Sequence, residues 1–214
     1  MEKSLKEIIK LNLMALLIGS KKKKTAVFIS GNGSNLRSLI KFSKLKKSPI
    51  SIDLIISNNL RAKGLIYAKI FKIKKKIYKL KNKKLDESKL IFELKKNEIE
   101  LICLAGFMKI LSKKFIRNFR RQIINIHPSL LPKYGGRGYF GRRVHEAVLA
   151  AGEFQSGATL HYVEPEYDTG PVLAQIQVPV QKNDTAEALE QRVKAAEQQL
   201  LVATLRKLAE EAAS

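Results

Sequence analysis

The sequence predicts an α/β protein built on a doubly wound, mostly parallel sheet, and two observations lead to this fold class. Short β-rich runs alternate with segments of helical periodicity through most of the chain, which is typical of parallel strands joined by crossover helices. A continuous apolar run, Leu101–Gly106, is of the kind that such a sheet buries on both faces. The 214 residues are 45% hydrophobic and 28% charged, a composition that can bury the core of one domain.

The predicted elements follow one another in a regular order. Strands and helices alternate over Thr25–Ser30, Asn35–Lys44, Ile50–Ser57, Ala62–Lys72, Lys76–Leu80 and Asp86–Asn97, and the strands Leu101–Gly106 and Gln122–Ile126 come next. Asp86 is a suitable helix cap. The runs Ala158–Val163 and Val172–Val180 predict a hairpin that extends the sheet, and Thr185–Ala212 predicts a long closing helix.

Residues 1–24 are predicted to be an extension and linker, and residues 25–214 to be the domain. Ile8–Ile18 is the longest apolar stretch, and it is far shorter than the ~20 residues that span a bilayer. Its leucines and isoleucines recur at helical spacing, which predicts an amphipathic helix and no membrane partner. The single cysteine, Cys103, excludes a disulfide scaffold and favours a reducing compartment, so we expect the cytoplasm.

The net charge of +22 suggests a nucleic-acid partner, but its distribution argues against one. Residues 138–214 hold 7 basic and 11 acidic residues, a net of −4, so residues 1–137 hold 34 basic and 8 acidic residues, a net of +26. The excess lysine is spread through every predicted element instead of following one face. We therefore interpret it as a compositional bias, and the break near Tyr134–Gly138 as a junction between stretches of different compositional history.

The first chemical motif is the glycine-rich turn of residues 30–36, SGNGSNL, between the first strand and the first helix. Glycines let the backbone approach an anion, and the helix N-terminus supplies free N–H groups. Leu36 replaces the third glycine of the dinucleotide fingerprint. The turn therefore indicates a single phosphate, as on a nucleotide-like substrate, although a tight turn without a ligand is also consistent with it.

The second motif is NIHPSLLP, residues 125–132, at the carboxyl end of a predicted strand. Residues two apart on a strand face the same side, so Asn125 and His127 are predicted to point together at the ligand edge of the sheet. An amide and an imidazole can hold an oxyanion there. In the third motif, YDTGP, Asp168 is either a turn former or a carboxylate that raises the pKa of His127.

All three histidines lie between residues 127 and 161, so we expect the chemistry to be concentrated there. His161 lies on the strand that leads to Asp168. There is no nucleophile motif, and the few histidines and the single cysteine predict no metal site. From the residues alone, the reaction is a direct transfer or a hydrolysis through an oxyanion.

Six motifs in order resemble the glycinamide ribonucleotide formyltransferase family, from about Thr25 to Leu208. They are FISGNGSNL (28–36), LAGFMKIL (104–111), INIHPSLLPKYGG (124–136), VHEAVLAAG (144–152), SGATLHYV (156–163) and YDTGP (167–171). The resemblance implies a Rossmann-like formyltransferase fold. It also implies transfer of a formyl group from 10-formyltetrahydrofolate to the amine of glycinamide ribonucleotide, in purine synthesis.

The resemblance also implies roles for residues. Gly33, Ser34 and Asn35 would bind the substrate phosphate, and Glu197 its ribose. Met108, Lys109, Ile110 and Leu111 would line the folate pocket with Asn125, and residues 164–168 would close on the pterin. Asn125, His127 and Asp168 would be catalytic, with His161 as a supporting polar group. Residues 25–126 would then bind the ribonucleotide, and residues 127–214 would bind folate and carry the chemistry.

Two departures from the family pattern stand out. Lys109 occupies a position where the family commonly has arginine, and the family's basic folate contact has no assignable counterpart within Lys81–Lys84. The partners that the resemblance implies are small molecules, with the protein as a monomer or homodimer.

Three alternatives remain open. Methionyl-tRNA formyltransferase would suit the basic charge but needs a further C-terminal domain. Formyltetrahydrofolate deformylase normally carries an N-terminal regulatory domain. The third alternative is an inactive phosphate- or nucleic-acid-binding module, which would not explain the presence of Asn125, His127 and Asp168.

Overall fold

The computed structural model describes residues 22–78, 86–119 and 122–213, and it contains one seven-stranded sheet. The strands are β1 (Lys23–Ile29), β2 (Ile50–Ser57), β3 (Lys74–Ile77), β4 (Leu101–Leu104), β5 (Gln122–His127), β6 (Gln155–Tyr162) and β7 (Val172–Pro179). Their order across the sheet is β3-β2-β1-β4-β5-β6-β7. The pairs from β3 to β5 are parallel, and β6 and β7 are antiparallel. The predicted fold class is confirmed.

Helices cover both faces of the sheet. They are α1 (Ser34–Ser43), a 3₁₀ turn (Lys63–Leu65), α2 (Ile66–Ile70), α3 (Glu87–Lys96), α4 (Lys113–Phe119), α5 (Arg142–Ala150) and α6 (Ala186–Ala213). Buried side chains of α1, α5 and α6 pack on one face and those of α3 and α4 on the other. Strand β1 alternates accordingly, with Val27 and Ile29 in the first core and Ala26 and Phe28 in the second.

Several predicted boundaries differ from the structure, since β3 begins at Lys74, β6 begins at Gln155 and β4 ends at Leu104. Two further differences have local reasons. Lys23 and Lys24, which we expected in the linker, begin β1, because Lys23 and Ile50 are partners in the parallel ladder. The helix predicted over Ala62–Lys72 is a 3₁₀ turn followed by the short α2, which ends when Lys72 takes a left-handed φ of 54°. The Ile73 N–H then donates to the Ala68 carbonyl, a helix-ending bond.

Helices α4 and α5 were not predicted. Helix α4 is seven residues long, and its one sequence signal is Ser112, whose Oγ accepts the Phe115 N–H at 3.0 Å. Helix α5 follows Gly141 without a side-chain cap and buries Val144 and Val148, one turn apart. The cap at Asp86 is confirmed, because its Oδ1 accepts the Lys89 N–H at 3.1 Å.

Some predictions fall outside the described residues. These are the amphipathic helix over Ile8–Ile18, the end of the strand predicted over Lys76–Leu80, and the basic folate contact within Lys81–Lys84. Within the described residues, no helix is both long and apolar enough to cross a membrane. The predicted boundary between residues 126 and 127 lies inside β5, and both stretches belong to the same sheet.

Candidate active site

A cavity of about 660 Å³ opens at the carboxyl ends of the parallel strands, where open α/β sheets bind their ligands. Its wall contains every residue to which the sequence analysis assigned a catalytic or ligand-binding role, namely residues 164–168 and Gly33, Ser34, Asn35, Met108, Lys109, Ile110, Leu111, Asn125, His127, His161 and Glu197. The structure therefore brings the predicted residues together. Their individual roles remain predictions.

The glycine-rich turn forms part of the wall of this cavity. Gly33 precedes α1 with a left-handed φ of 73°, and a Cβ there would lie 2.8 Å from the Cα of Gly64. This close approach requires glycine. The first N–H groups of α1 have no partner within the helix and border the cavity, so the turn can hold an anion.

Asn35 and Glu197 meet across α1 and α6 beside this turn. The Asn35 Nδ2 donates to Glu197 Oε2 at 3.1 Å, and both side chains are buried. Burial raises the pKa of Glu197 to about 7, because a carboxylate loses its hydration there. The Asn35 Oδ1 has no hydrogen-bond partner within the described structure.

Asn125 is oriented by His161 from the neighbouring strand, its partner in the β5–β6 register. The His161 Nδ1 lies 2.7 Å from the Tyr162 carbonyl oxygen and therefore carries a proton, so Nε2 accepts from Asn125 Nδ2 at 3.1 Å. Burial lowers the pKa of His161 and favours this neutral form. The second N–H of Asn125 is left to serve the cavity.

His127 is held between a backbone carbonyl and a carboxylate. Its Nε2 donates to the Tyr134 carbonyl at 2.8 Å, and its Nδ1 lies 3.7 Å from Asp168 Oδ2. Asp168 has a left-handed φ of 53° and also accepts the Gly136 N–H at 2.8 Å. A protonated His127 therefore presents an Nδ1–H beside a negative charge, which can stabilise a developing oxyanion.

A further part of the wall comes from the segment after β4. The Met108 N–H donates to Ser30 Oγ at 2.8 Å, so this segment is tied to the end of β1. Met108 and Ile110 are 51% and 57% exposed, whereas Leu111 is buried. Residues 163–168 line the cavity as well. This wall offers apolar side chains and backbone groups to a flat ring.

Several groups of the candidate site were not predicted from the sequence. The Tyr134 carbonyl and Gly136 N–H act through the backbone and leave no residue signature. The side chains of His145, Glu190 and Lys194 also line the cavity. Only His145 had a signal in the sequence, because it is a histidine on the buried face of the VHEAVLA helix. Arg142 and Lys194 both pair with Glu190, at 3.2 Å and 2.6 Å.

No group of three or more His, Cys, Asp or Glu side chains is placed to hold a metal ion in the part of the chain that the structure describes. Cys103 is buried, and burial raises the pKa of its thiol to about 12. The neutral thiol is a poor nucleophile, which leaves Asn125, His127 and Asp168 as the candidate reactive centre.

Comparison with known proteins places the fold and this site in one family of enzymes. The model of the formyl transferase family matches residues 23–205, and the chain belongs to this family. Among its relatives, the chloroplastic phosphoribosylglycinamide formyltransferase of Vigna unguiculata is 43% identical over 194 residues. That alignment covers 89% of this chain and 62% of the relative, so the chain spans less than two thirds of that protein.

Bacterial relatives match over more of their length. The phosphoribosylglycinamide formyltransferase of Haemophilus influenzae is 39% identical, with 83% of each chain covered. The crystal structure of phosphoribosylglycinamide formyltransferase from Anaplasma phagocytophilum superposes with a TM-score of 0.82 at 40% identity, covering 89% of this chain and 88% of that one. The fold and the motif order are therefore shared with these proteins.

Proposed function

We propose that this protein transfers the formyl group of 10-formyltetrahydrofolate to the amine of glycinamide ribonucleotide, a step of purine synthesis. The observation that carries the proposal is the convergence of Asn125, His127 and Asp168 at one cavity that the glycine-rich turn also lines. The similarity to proteins named for this activity supports it.

Asn125 and His127 hold the formyl oxygen in this mechanism. The free N–H of Asn125 and the Nδ1–H of protonated His127 donate to that oxygen as the amine attacks and charge develops. The Asp168 carboxylate lies 3.7 Å from Nδ1 and places a negative charge beside the ring during the transfer. It also provides a route for the proton that leaves the attacking amine. This proton is delivered to N10 as the bond between N10 and the formyl carbon breaks and tetrahydrofolate leaves.

The two substrates bind to different parts of the cavity wall in this proposal. Gly33, Ser34 and Asn35 bind the phosphate, and Glu197 contacts the ribose hydroxyls. The folate lies along Met108, Lys109, Ile110 and Leu111 with Asn125, and residues 164–168 cover its ring. The half-exposed side chains of Met108 and Ile110 are suited to a flat aromatic ring, so this wall fits the co-substrate.

As part of the same proposal, the protein acts in the cytoplasm as a monomer or homodimer. Its partners are the two small molecules, with no membrane and no nucleic acid. The low thiol content favours this location.

The test is an assay of formyl transfer with both substrates, comparing the parent protein with His127→Ala. We expect transfer to require both substrates and to fall by about 10²-fold or more in the variant. Lys95→Ala, at an exposed site on α3 away from the cavity, is the matched control. Formate release without the ribonucleotide would assign a hydrolase instead, and a folded parent without either activity would refute the proposal.

A further inference from the structure

Tyr134 does not belong to the cavity wall that the described residues form, yet its backbone contacts the candidate reactive centre. Its carbonyl oxygen accepts the His127 Nε2–H at 2.8 Å. Two residues later, the Gly136 N–H donates to Asp168 Oδ2 at 2.8 Å, and this same oxygen lies 3.7 Å from His127 Nδ1. The backbone of residues 134–136 therefore contacts both His127 and Asp168, so its position sets the geometry between them.

Tyr134 makes the contact with His127 in an unusual backbone conformation. Its φ is 54°, in the left-handed region that bulky residues rarely adopt. Such a conformation persists only where the surrounding contacts enforce it, and it is frequent at functional sites. If φ returned to an ordinary negative value, the carbonyl and the side chain of Tyr134 would turn relative to the preceding residues. The bond to His127 would then be lost.

Contacts of the Tyr134 side chain enforce this conformation. The Tyr134 hydroxyl donates to Glu153 Oε1 at 3.0 Å, and Lys133 Nζ donates to the same oxygen at 2.8 Å. The Tyr139 ring lies edge-on to the Tyr134 ring, with 5.9 Å between the ring centroids. On the backbone side, Ser129 Oγ donates to the Lys133 carbonyl at 2.7 Å and lies 3.4 Å from the Tyr134 carbonyl oxygen.

Glu153 is a fixed anchor for the hydroxyl because it directly follows the end of α5. Gly152 takes a left-handed φ of 65°, and its N–H donates to the Leu149 carbonyl at 3.0 Å. The Glu153 N–H donates to the Val148 carbonyl at 3.3 Å, which completes a common helix-ending motif. Val148 belongs to the core on one face of the sheet. The hydroxyl bond therefore ties Tyr134 to a helix that packs on the core.

We propose that the Tyr134 hydroxyl and Glu153 form a positioning contact that holds the Tyr134 carbonyl against His127 Nε2. This inference rests on the proposed function. The carbonyl keeps a proton on Nε2 and fixes the ring orientation, so that Nδ1 faces Asp168 and the developing oxyanion. Because neither Tyr134 nor Glu153 lines the described cavity, loss of the contact changes kcat and leaves the KM of each substrate unchanged.

The experiment is a mutant cycle on this contact, read by formyl transfer. We expect Tyr134→Phe and Glu153→Ala each to lower kcat about fivefold, the fold-change of one hydrogen bond of ordinary strength. The double variant should lose no more than either single variant, because both changes remove the same bond. Glu153→Gln is the matched control, since its amide oxygen still accepts from the hydroxyl although the charge that pairs with Lys133 is gone. It should keep the parent kcat.

The nitrogen NMR signals of the His127 ring provide a readout that does not depend on turnover. For the neutral ring in alkaline solution, the parent should carry the proton on Nε2. The fraction with the proton on Nδ1 should rise in Tyr134→Phe and in Glu153→Ala, and it should stay at the parent value in Glu153→Gln.

An unchanged kcat and ring signal in Tyr134→Phe and Glu153→Ala would overturn the positioning contact. Equal losses in Glu153→Gln and Glu153→Ala would overturn it too, because the ion pair with Lys133 would then hold the segment. Losses that add in the double variant would mean that the two side chains act separately, which also contradicts the proposal. A parent whose ring responds as described but which transfers no formyl group would instead refute the proposed function.

Discussion

Residues 22–137 and residues 138–213 differ in composition but are inseparable in structure. The first stretch belongs to the lysine-rich part of the chain, and the second is acidic overall. The first supplies the five strands of the parallel part of the sheet, and the second supplies the antiparallel pair and the helices α5 and α6. One core cluster contains residues of both, such as Val27 and Ile124 with Ala158 and Leu189.

Three side-chain pairs of the candidate site cross between these stretches. His127 faces Asp168, Asn125 bonds His161, and Asn35 bonds Glu197. In each pair, one side chain comes from the first stretch and its partner from the second, so the proposed mechanism needs both stretches. Breaking the pairs one at a time therefore tests what each stretch contributes.

Asp168→Asn should have the largest effect, a loss of about 10²-fold or more in kcat. The change removes the charge beside His127 but little else. Asparagine tolerates the left-handed φ of this residue, and its Oδ1 can still accept the Gly136 N–H. Steady-state kinetics and a melting curve check this, and an unchanged kcat in the folded variant would remove Asp168 from the mechanism.

His161→Leu should lower kcat about tenfold with small changes in either KM, since Asn125 loses the partner that orients its amide. His161→Gln places an oxygen near the position of Nε2 and should restore most of the rate. The paired kinetics of the two variants provide the measurement. If both lost the same activity, the role of His161 would be packing and not orientation.

Glu197→Gln should change how stability depends on pH. The folded pKa is about 7 against an ordinary value of 4.5, so the folded protein binds the extra proton. Binding of this proton contributes to the free energy of unfolding. The contribution is fully present below about pH 4.5 and is lost as the pH rises to about 7. Glutamine has no such dependence and can still accept from Asn35.

The unfolding free energy of Glu197→Gln, taken relative to that of the parent, should therefore be higher at about pH 8 than at about pH 5, by up to about 3 kcal/mol. Urea denaturation of both proteins at the two pH values measures the difference. The same difference at both values would show that Glu197 titrates normally.

The smallest expected effect concerns the compositional junction itself. If the two stretches fitted poorly, thermal unfolding would show two transitions. Because β5 and β6 pair across the junction and the core is shared, we expect one cooperative transition with coincident far-UV and near-UV signals. Two separated transitions would mean that the stretches fold as independent units.

Much of the fold could be predicted from periodicity, since a doubly wound sheet repeats the same strand–helix signal. Helices α4 and α5 were not predicted, because their short lengths and weak caps leave little pattern. The break after Ala62 was not predicted either, since it depends on the contact of Gly64 with Gly33. That contact joins residues far apart in the chain. Local patterns carry no information about it.

The strand–helix order and the placement of Asn125 and His127 on one face could be predicted because they follow from backbone periods of two and 3.6 residues. The glycine turn was visible in the residues themselves. Long-range packing brings the Tyr134 carbonyl to His127 and the Gly136 N–H to Asp168. It also buries Glu197 against Asn35 and places His145 at the cavity with an unpaired nitrogen. Such properties depend on which distant groups exclude water around an atom, and packing of the whole chain decides this.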